Sequence, residues 1–171
     1  MNTKIRLIII ALAVITLAYC LVSGYYYACV YILGLIGYMV WSQYRDGTVF
    51  LATQAFHKQD YEKTKTLLAE IKNPDYLRKG RRNFYEFMMG NIALKEDKIE
   101  EAEYHFQLAS RLPWRKDYEK AMVVINLANI NLREKDYERT EAYLSVADKL
   151  ALTERQKDIV QKIKNEIEKY K

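Results

Sequence analysis

Histidine, cysteine and proline are scarce in this chain, with two of each among 171 residues. Each scarcity excludes something. His57 and His105 stand alone, without the His-Glu-x-x-His spacing of a zinc peptidase, and read as surface or packing residues. There is also no Gly-x-Ser-x-Gly elbow and no glycine-rich loop ending in Gly-Lys-Ser/Thr. Glu100 and Glu101 are adjacent, so on a helix they point to different sides and cannot work as a carboxylate pair. No catalytic centre, cofactor site or metal site is expected. Cys20 and Cys29 both fall in apolar sequence, and the rest of the chain has no cysteine for a disulfide framework or a structural zinc. A net charge of +5 without a concentrated basic stripe does not indicate a nucleic-acid binder.

Acidic residues are missing altogether from residues 1–44. Residues 7–22 are apolar except for Thr16, and after Ser23-Gly24 a second uncharged run covers residues 25–41. With its flanks, each run makes a helix of roughly 25–28 Å, just long enough for a bilayer core of about 30 Å. Tyr25, Tyr26 and Tyr27 would mark one membrane interface, and Trp41 and Tyr44 the other. The expectation is a two-helix transmembrane hairpin over residues 1–44. Lys4 and Arg6 before the first run, Arg45 after the second and an uncharged turn put both termini in the cytoplasm. A cleaved secretory signal, a lipoprotein box at Leu17-Ala18-Tyr19-Cys20 (with a bulky Tyr19 before the cysteine) and a buried soluble pair are the alternatives.

Beyond residue 44 a pattern recurs every 38 positions. Ala52, Gly90 and Ala128 are small; Tyr61, Ile99 and Tyr137 are large; Thr64, Ala102 and Thr140 are small; Leu68, Phe106 and Leu144 are large; Ile71, Ala109 and Ala147 close each unit. Small residues are needed where two antiparallel helices cross closely, and copies of such a pair bury one another's faces. Met89-Gly90, Ala102-x3-Phe106, Ala109 and Pro113 resemble the tetratricopeptide repeat. The sequence departs from that pattern at Thr48, Glu86 and Val124, where an aromatic usually opens the first helix, and in its period of 38 where 34 is usual. The resemblance implies an all-α fold: an α-solenoid of three helix pairs (about 45–78, 83–116 and 121–152) with a capping helix over 153–170. Helices are expected near 48–58, 60–72, 79–95, 98–111, 116–134, 137–150 and 153–170. Pro74 and Pro113 fall just after second helices. Thr153 is a suitable N-cap for the last helix, and Ile159, Ile163, Ile167 and Tyr170 give it an apolar stripe.

The resemblance further implies that the first helix of each pair lines a concave groove. Phe50 and Thr53, then Phe84, Phe87, Met88 and Asn91, then Met122, Ile125, Asn126 and Asn129 occupy the matching positions, with Lys95 and Arg133 continuing two of the stripes. An apolar groove with spaced amides suits a peptide whose side chains fill pockets while amides hold its backbone. Arg78, Lys79, Arg81 and Arg82 form a basic cluster that reads either as a solvated turn or as a contact for anionic lipid headgroups. The expected function is a scaffold or adaptor, membrane-integral and multi-pass, that binds a protein or peptide partner at the cytoplasmic face of a cell membrane; the short architecture suits a bacterial one. The alternative is an integral subunit whose hairpin makes the functional contacts while the repeats mediate oligomerisation.

Overall fold

The computed structural model describes residues 3–170, without the side chains at positions 3, 4, 6, 43 and 44. The side chains of Lys4, Arg6 and Tyr44, to which the sequence gives membrane-flanking roles, thus lie outside the described residues. The described residues form nine α-helices, one 3-10 turn (Pro74–Tyr76) and no strand. The helices are α1 (Thr3–Val22), α2 (Tyr26–Asp46), α3 (Val49–His57), α4 (Tyr61–Ala69), α5 (Lys79–Lys95), α6 (Ile99–Arg111), α7 (Asp117–Arg133), α8 (Tyr137–Ala147) and α9 (Glu154–Glu168). An all-α fold follows. The chain divides into two compact units, residues 1–81 and 82–171.

In the first unit α1 and α2 pack as a hairpin. The chain reverses at Gly24, whose φ of 77° is open to glycine at no steric cost, and the Tyr25 N–H donates to the Cys20 carbonyl at 2.9 Å to close the end of α1. Cys20 and Cys29 are buried free thiols. Most other described side chains of the pair are apolar and exposed, up to 90% at Val22 and 89% at Tyr27. Thr16 in the first run donates its hydroxyl to the Leu12 carbonyl at 2.9 Å, within its own helix. Among the described residues no helix is long and apolar enough to cross a membrane. Helix α2 carries Gly34, Gly37 and several tyrosines within its apolar run.

Residue 44 is not a helix end: α2 continues to Asp46 because nothing interrupts it before Gly47. Gly47 has φ 53°, and a Cβ there would lie 3.2 Å from two Ile71 side-chain atoms and 3.3 Å from Leu77. Both conformation and space therefore require glycine at this bend. In the 38-residue register α5 and α7 each start eight positions before α3 does, and the last turn of α2 occupies the corresponding stretch of the first pair. The 17 residues of α5 and of α7, against nine in α3, are where the extra length of the repeat resides.

The repeat is also written in the backbone. Gln59, Asp97 and Lys135, spaced by 38, all adopt left-handed φ of 61°, 58° and 62° between the two helices of a pair. One residue later the N–H of Asp60, Lys98 and Asp136 donates to the carbonyl of Ala55, Ala93 and Asn131, at 3.0, 2.9 and 2.9 Å. Each of these bonds satisfies a carbonyl that the end of the first helix leaves open. Asp60 and Asp136 also cap the following helix, accepting from the Lys63 and Arg139 N–H.

In the second unit two apolar clusters form the core. One gathers Ala93, Ala102, Phe106, Ala109, Val123, Leu127 and Ile130 from α5, α6 and α7. The other gathers Val124, Ile125, Ala128, Leu144, Ala147, Val160, Ile163 and Ile167 from α7, α8 and α9. Helix α9 packs against α7 and α8. Ile163 and Ile167 are buried and Ile159 is half-buried, but Tyr170, expected in the same stripe, lies beyond the helix, 62% exposed and stacked on Tyr137; Thr153 and Gln156 form a reciprocal capping box. Gln156 also donates to the Tyr118 carbonyl at 2.7 Å, tying α9 to α7.

Candidate functional site

The small and large positions of the repeat meet as helix-crossing contacts. A Cβ at Gly90 would lie 2.9 Å from two ring atoms of Phe106, itself fully buried, so α5 and α6 approach closely only because residue 90 has no side chain. The three positions where the usual aromatic is replaced make a register contact of another kind. Thr48 donates to the Leu67 carbonyl, 19 residues on. Glu86 pairs with His105, again 19 residues on, at 2.5 Å. Val124 joins the cluster against which Tyr143 packs. Each pair thus closes its first helix on its second with different chemistry. Glu86 is 1% exposed and is held by Arg82 as well as by His105. A carboxylate so buried needs both partners, because an unpaired charge there would carry its full desolvation cost. Burial pushes the neighbouring Tyr85 hydroxyl above its ordinary pKa, the Glu86 carboxylate adds to the rise and Arg82 opposes it.

The expected groove residues divide by exposure. Met88 (1% exposed) and Ile125 (3%) are interior residues and do not line a surface open to a partner. Phe84 and Phe87 are half-buried and share Trp114, whose ring lies edge-on at 5.2 and 6.3 Å, while Phe87 also meets Phe106 at 6.1 Å. Trp114 is fixed by donating its indole N–H to the Ala109 carbonyl at 2.9 Å. It makes an aromatic ridge of the α5 face, and sequence reasoning missed it; a tryptophan directly after Pro113, at a helix end, was the available signal. The Asn91 amide donates to the Phe87 carbonyl of its own helix at 2.7 Å, so its donor is engaged. Met122 and Asn126 are half-buried and Asn129 is exposed. Lys95 and Arg133 are exposed, and Arg133 pairs with Asp97 at 3.5 Å. In the first unit Phe50 is exposed beneath the Arg81 guanidinium, 5.8 Å from its ring centre, and Thr53 donates to the Val49 carbonyl.

The basic cluster also divides. Arg82 turns toward the buried Glu86. Arg78 and Arg81, in the first unit, approach Asp46 at 3.5 and 3.9 Å and remain substantially exposed, as does Lys79. The Arg78 guanidinium also lies 5.5 Å from the Trp41 ring centre.

Among the described residues no cluster of three or more His, Cys, Asp or Glu side chains could hold a metal ion. One surface hollow of about 290 Å³ lies between α8 and α9, lined by Glu141, Leu144, Asp148 and Lys164, and the Lys164–Asp148 pair at 2.7 Å spans it. Compared with protein-family models, curated proteins and solved structures, the chain matches none.

Proposed function

We propose that this protein is a membrane-anchored adaptor of the tetratricopeptide type, held by the α1–α2 hairpin and offering its helix pairs, as a short solenoid, to a protein or peptide partner. The observation that carries the anchor is the exposure of the hairpin. Leu7, Ile8, Leu12, Ile15, Val22, Tyr27, Val30, Tyr31 and Leu33 are all more than half exposed, on both helices. Helices apolar on every side need an apolar surrounding, because a patch of this extent is not left in water. The apolar runs within the helices are only just long enough for a bilayer, and local thinning or interfacial side chains accommodate such a mismatch at modest cost. A hairpin returns the chain to the side it came from, so both termini share one face. The positive flanks assign that face to the cytoplasm.

The partner surface in this reading is the aromatic ridge of Phe84, Phe87 and Trp114 on one side and Met122, Asn126 and Asn129 on the other. Phenylalanine and tryptophan anchors with nearby amides suit a peptide better than a small charged ligand. An enzymatic role is not part of the proposal.

The test has two arms. In the first, Cys20 and Cys29 are replaced by Ser, single cysteines are placed at residues 2 and 171, and an impermeant thiol reagent is added to intact cells. Protection of both sites, with the protein in the carbonate-resistant membrane fraction, is expected; labelling of either site overturns the shared cytoplasmic face. In the second, partners are crosslinked and co-purified with the parent chain, with an Asn126→Ala/Asn129→Ala variant, and with a chain carrying an unrelated hairpin. An adaptor loses partners in the first variant and keeps them in the second. The reverse pattern favours the integral-subunit alternative.

A further inference from the structure

We infer that the junction after the hairpin is a binding collar for anionic phospholipid headgroups, an inference that rests on the membrane reading of α1–α2. The collar lies wholly in the first unit. Trp41, half exposed in the last turns of α2, has the Arg45 guanidinium 5.6 Å from its ring centre and that of Arg78 at 5.5 Å. The chain returns to this place through a backbone bond: the Arg78 N–H donates to the Arg45 carbonyl at 2.9 Å. Arg81 adds a third guanidinium over Phe50, and Lys79 is exposed beside it. Residues 45 and 78 are far apart in sequence, so folding assembles this cluster and a simple basic run does not account for it.

The charge count decides what the collar would take. Asp46 is the carboxylate that Arg78 and Arg81 both approach, at 3.5 and 3.9 Å. Between Ile71 and Gly80 the chain adds Lys72 and Lys79 beside Arg78, and one further acid, Asp75. Residues 45–46 and 71–81 together carry five cations, Arg45, Lys72, Arg78, Lys79 and Arg81, against two acids, Asp46 and Asp75, and the Arg78 and Arg81 side chains, which share Asp46, stay 48% and 38% exposed. Guanidinium groups present several N–H donors in a planar fork that matches phosphate oxygens. Tryptophan favours the headgroup level of a bilayer. Arginines stacked on such a ring, where a hairpin of exposed apolar side chains ends, are held at the depth of the lipid phosphates. The occupant is an anionic glycerophospholipid of the leaflet that the hairpin enters.

The experiment uses the full chain with Trp114→Phe, which leaves Trp41 as the one tryptophan. It is reconstituted into mixed vesicles of phosphatidylcholine and phosphatidylglycerol, in which either lipid carries bromine on its acyl chains at the same mole fraction. Flotation reports insertion, and quenching of Trp41 reports which lipid surrounds the collar. The expected result is about threefold stronger quenching by the brominated anionic lipid, shrinking at high salt. Arg45→Gln/Arg78→Gln/Arg81→Gln is expected to bring the ratio to about one while flotation persists, whereas the corresponding triple Lys variant keeps a preference. Equal quenching by both lipids in the floated parent chain overturns the collar and leaves the hairpin standing, pointing to an acidic protein surface as its occupant. A preference unchanged in the floated Gln variant overturns it as well. A parent chain that does not float overturns the membrane reading, and the collar with it.

Discussion

Gly90→Ala offers a direct measure of how tightly α5 and α6 cross. In an ordinary exposed helix this change stabilises by up to about 1 kcal/mol, because glycine loses the most backbone freedom on folding. At Gly90 the new methyl would lie 2.9 Å from the Phe106 Cε1 and Cζ atoms and 3.0 Å from Cδ1. Ordinary van der Waals contact begins near 3.4 Å. The ring cannot swing clear, since Phe106 is fully buried among Ala93, Ala102, Ala109, Val123, Leu127 and Ile130. Overpacking of this kind costs about 1–3 kcal/mol, so the net expectation is a loss of up to about 2 kcal/mol once a propensity gain of about 1 kcal/mol is subtracted. For a unit of this size each kcal/mol lost corresponds to a fall in midpoint of about 4–8 °C. The assay is thermal unfolding of the full chain in detergent, followed by circular dichroism, with two controls. Gly80→Ala, at a helical position with nothing within 4 Å of the added carbon, should leave the midpoint unchanged or raise it. Phe106→Leu should cost less in the Gly90→Ala background than alone, giving a coupling of about 1 kcal/mol. A midpoint raised by Gly90→Ala, or strict additivity with Phe106→Leu, would refute the close crossing.

Two further outcomes are expected. Lys135→Gly relieves a left-handed φ of 62° and should stabilise by up to about 1 kcal/mol, whereas Lys135→Val should destabilise; denaturant midpoints at unchanged slope check both, and equal effects would mean that the turn relaxes to another conformation. Burial first, and then nearby Glu86 for Tyr85 and Glu103 for Tyr143, raise both hydroxyl pKa values above the unfolded value of about 10. Their contribution is therefore fully present below that pH and is lost as pH rises through the folded values, so midpoints followed from about pH 8 to about pH 11 should fall at the alkaline end, and less steeply in Tyr85→Phe/Tyr143→Phe. An equally steep fall in that variant would assign the loss to other groups.

The sequence by itself determined the helices and their pairing. Small residues at 52, 90 and 128 and large ones at 68, 106 and 144 are local requirements of close helix crossing, so the period of 38 is legible without any coordinates. The break at Ser23-Gly24 and the cap at Thr153 were equally local, since each depends on the backbone or side chain of one or two neighbouring residues. What the tertiary structure alone decided concerns residues distant in sequence. Helical spacing puts Met88 and Ile125 in the same stripe as Phe87 and Asn129, and only packing against a neighbouring helix turns some of that stripe inward. Glu86 looked like a mere departure from a pattern until α6 brought His105 to it. Gln59, Asp97 and Lys135 gave no warning of left-handed turns, because propensity favours glycine there and the surrounding hydrogen bonds overrule it. Trp41 and Arg78, 37 residues apart, meet because the chain folds back at Gly47 and again before α5, and no pattern along the sequence encodes that meeting.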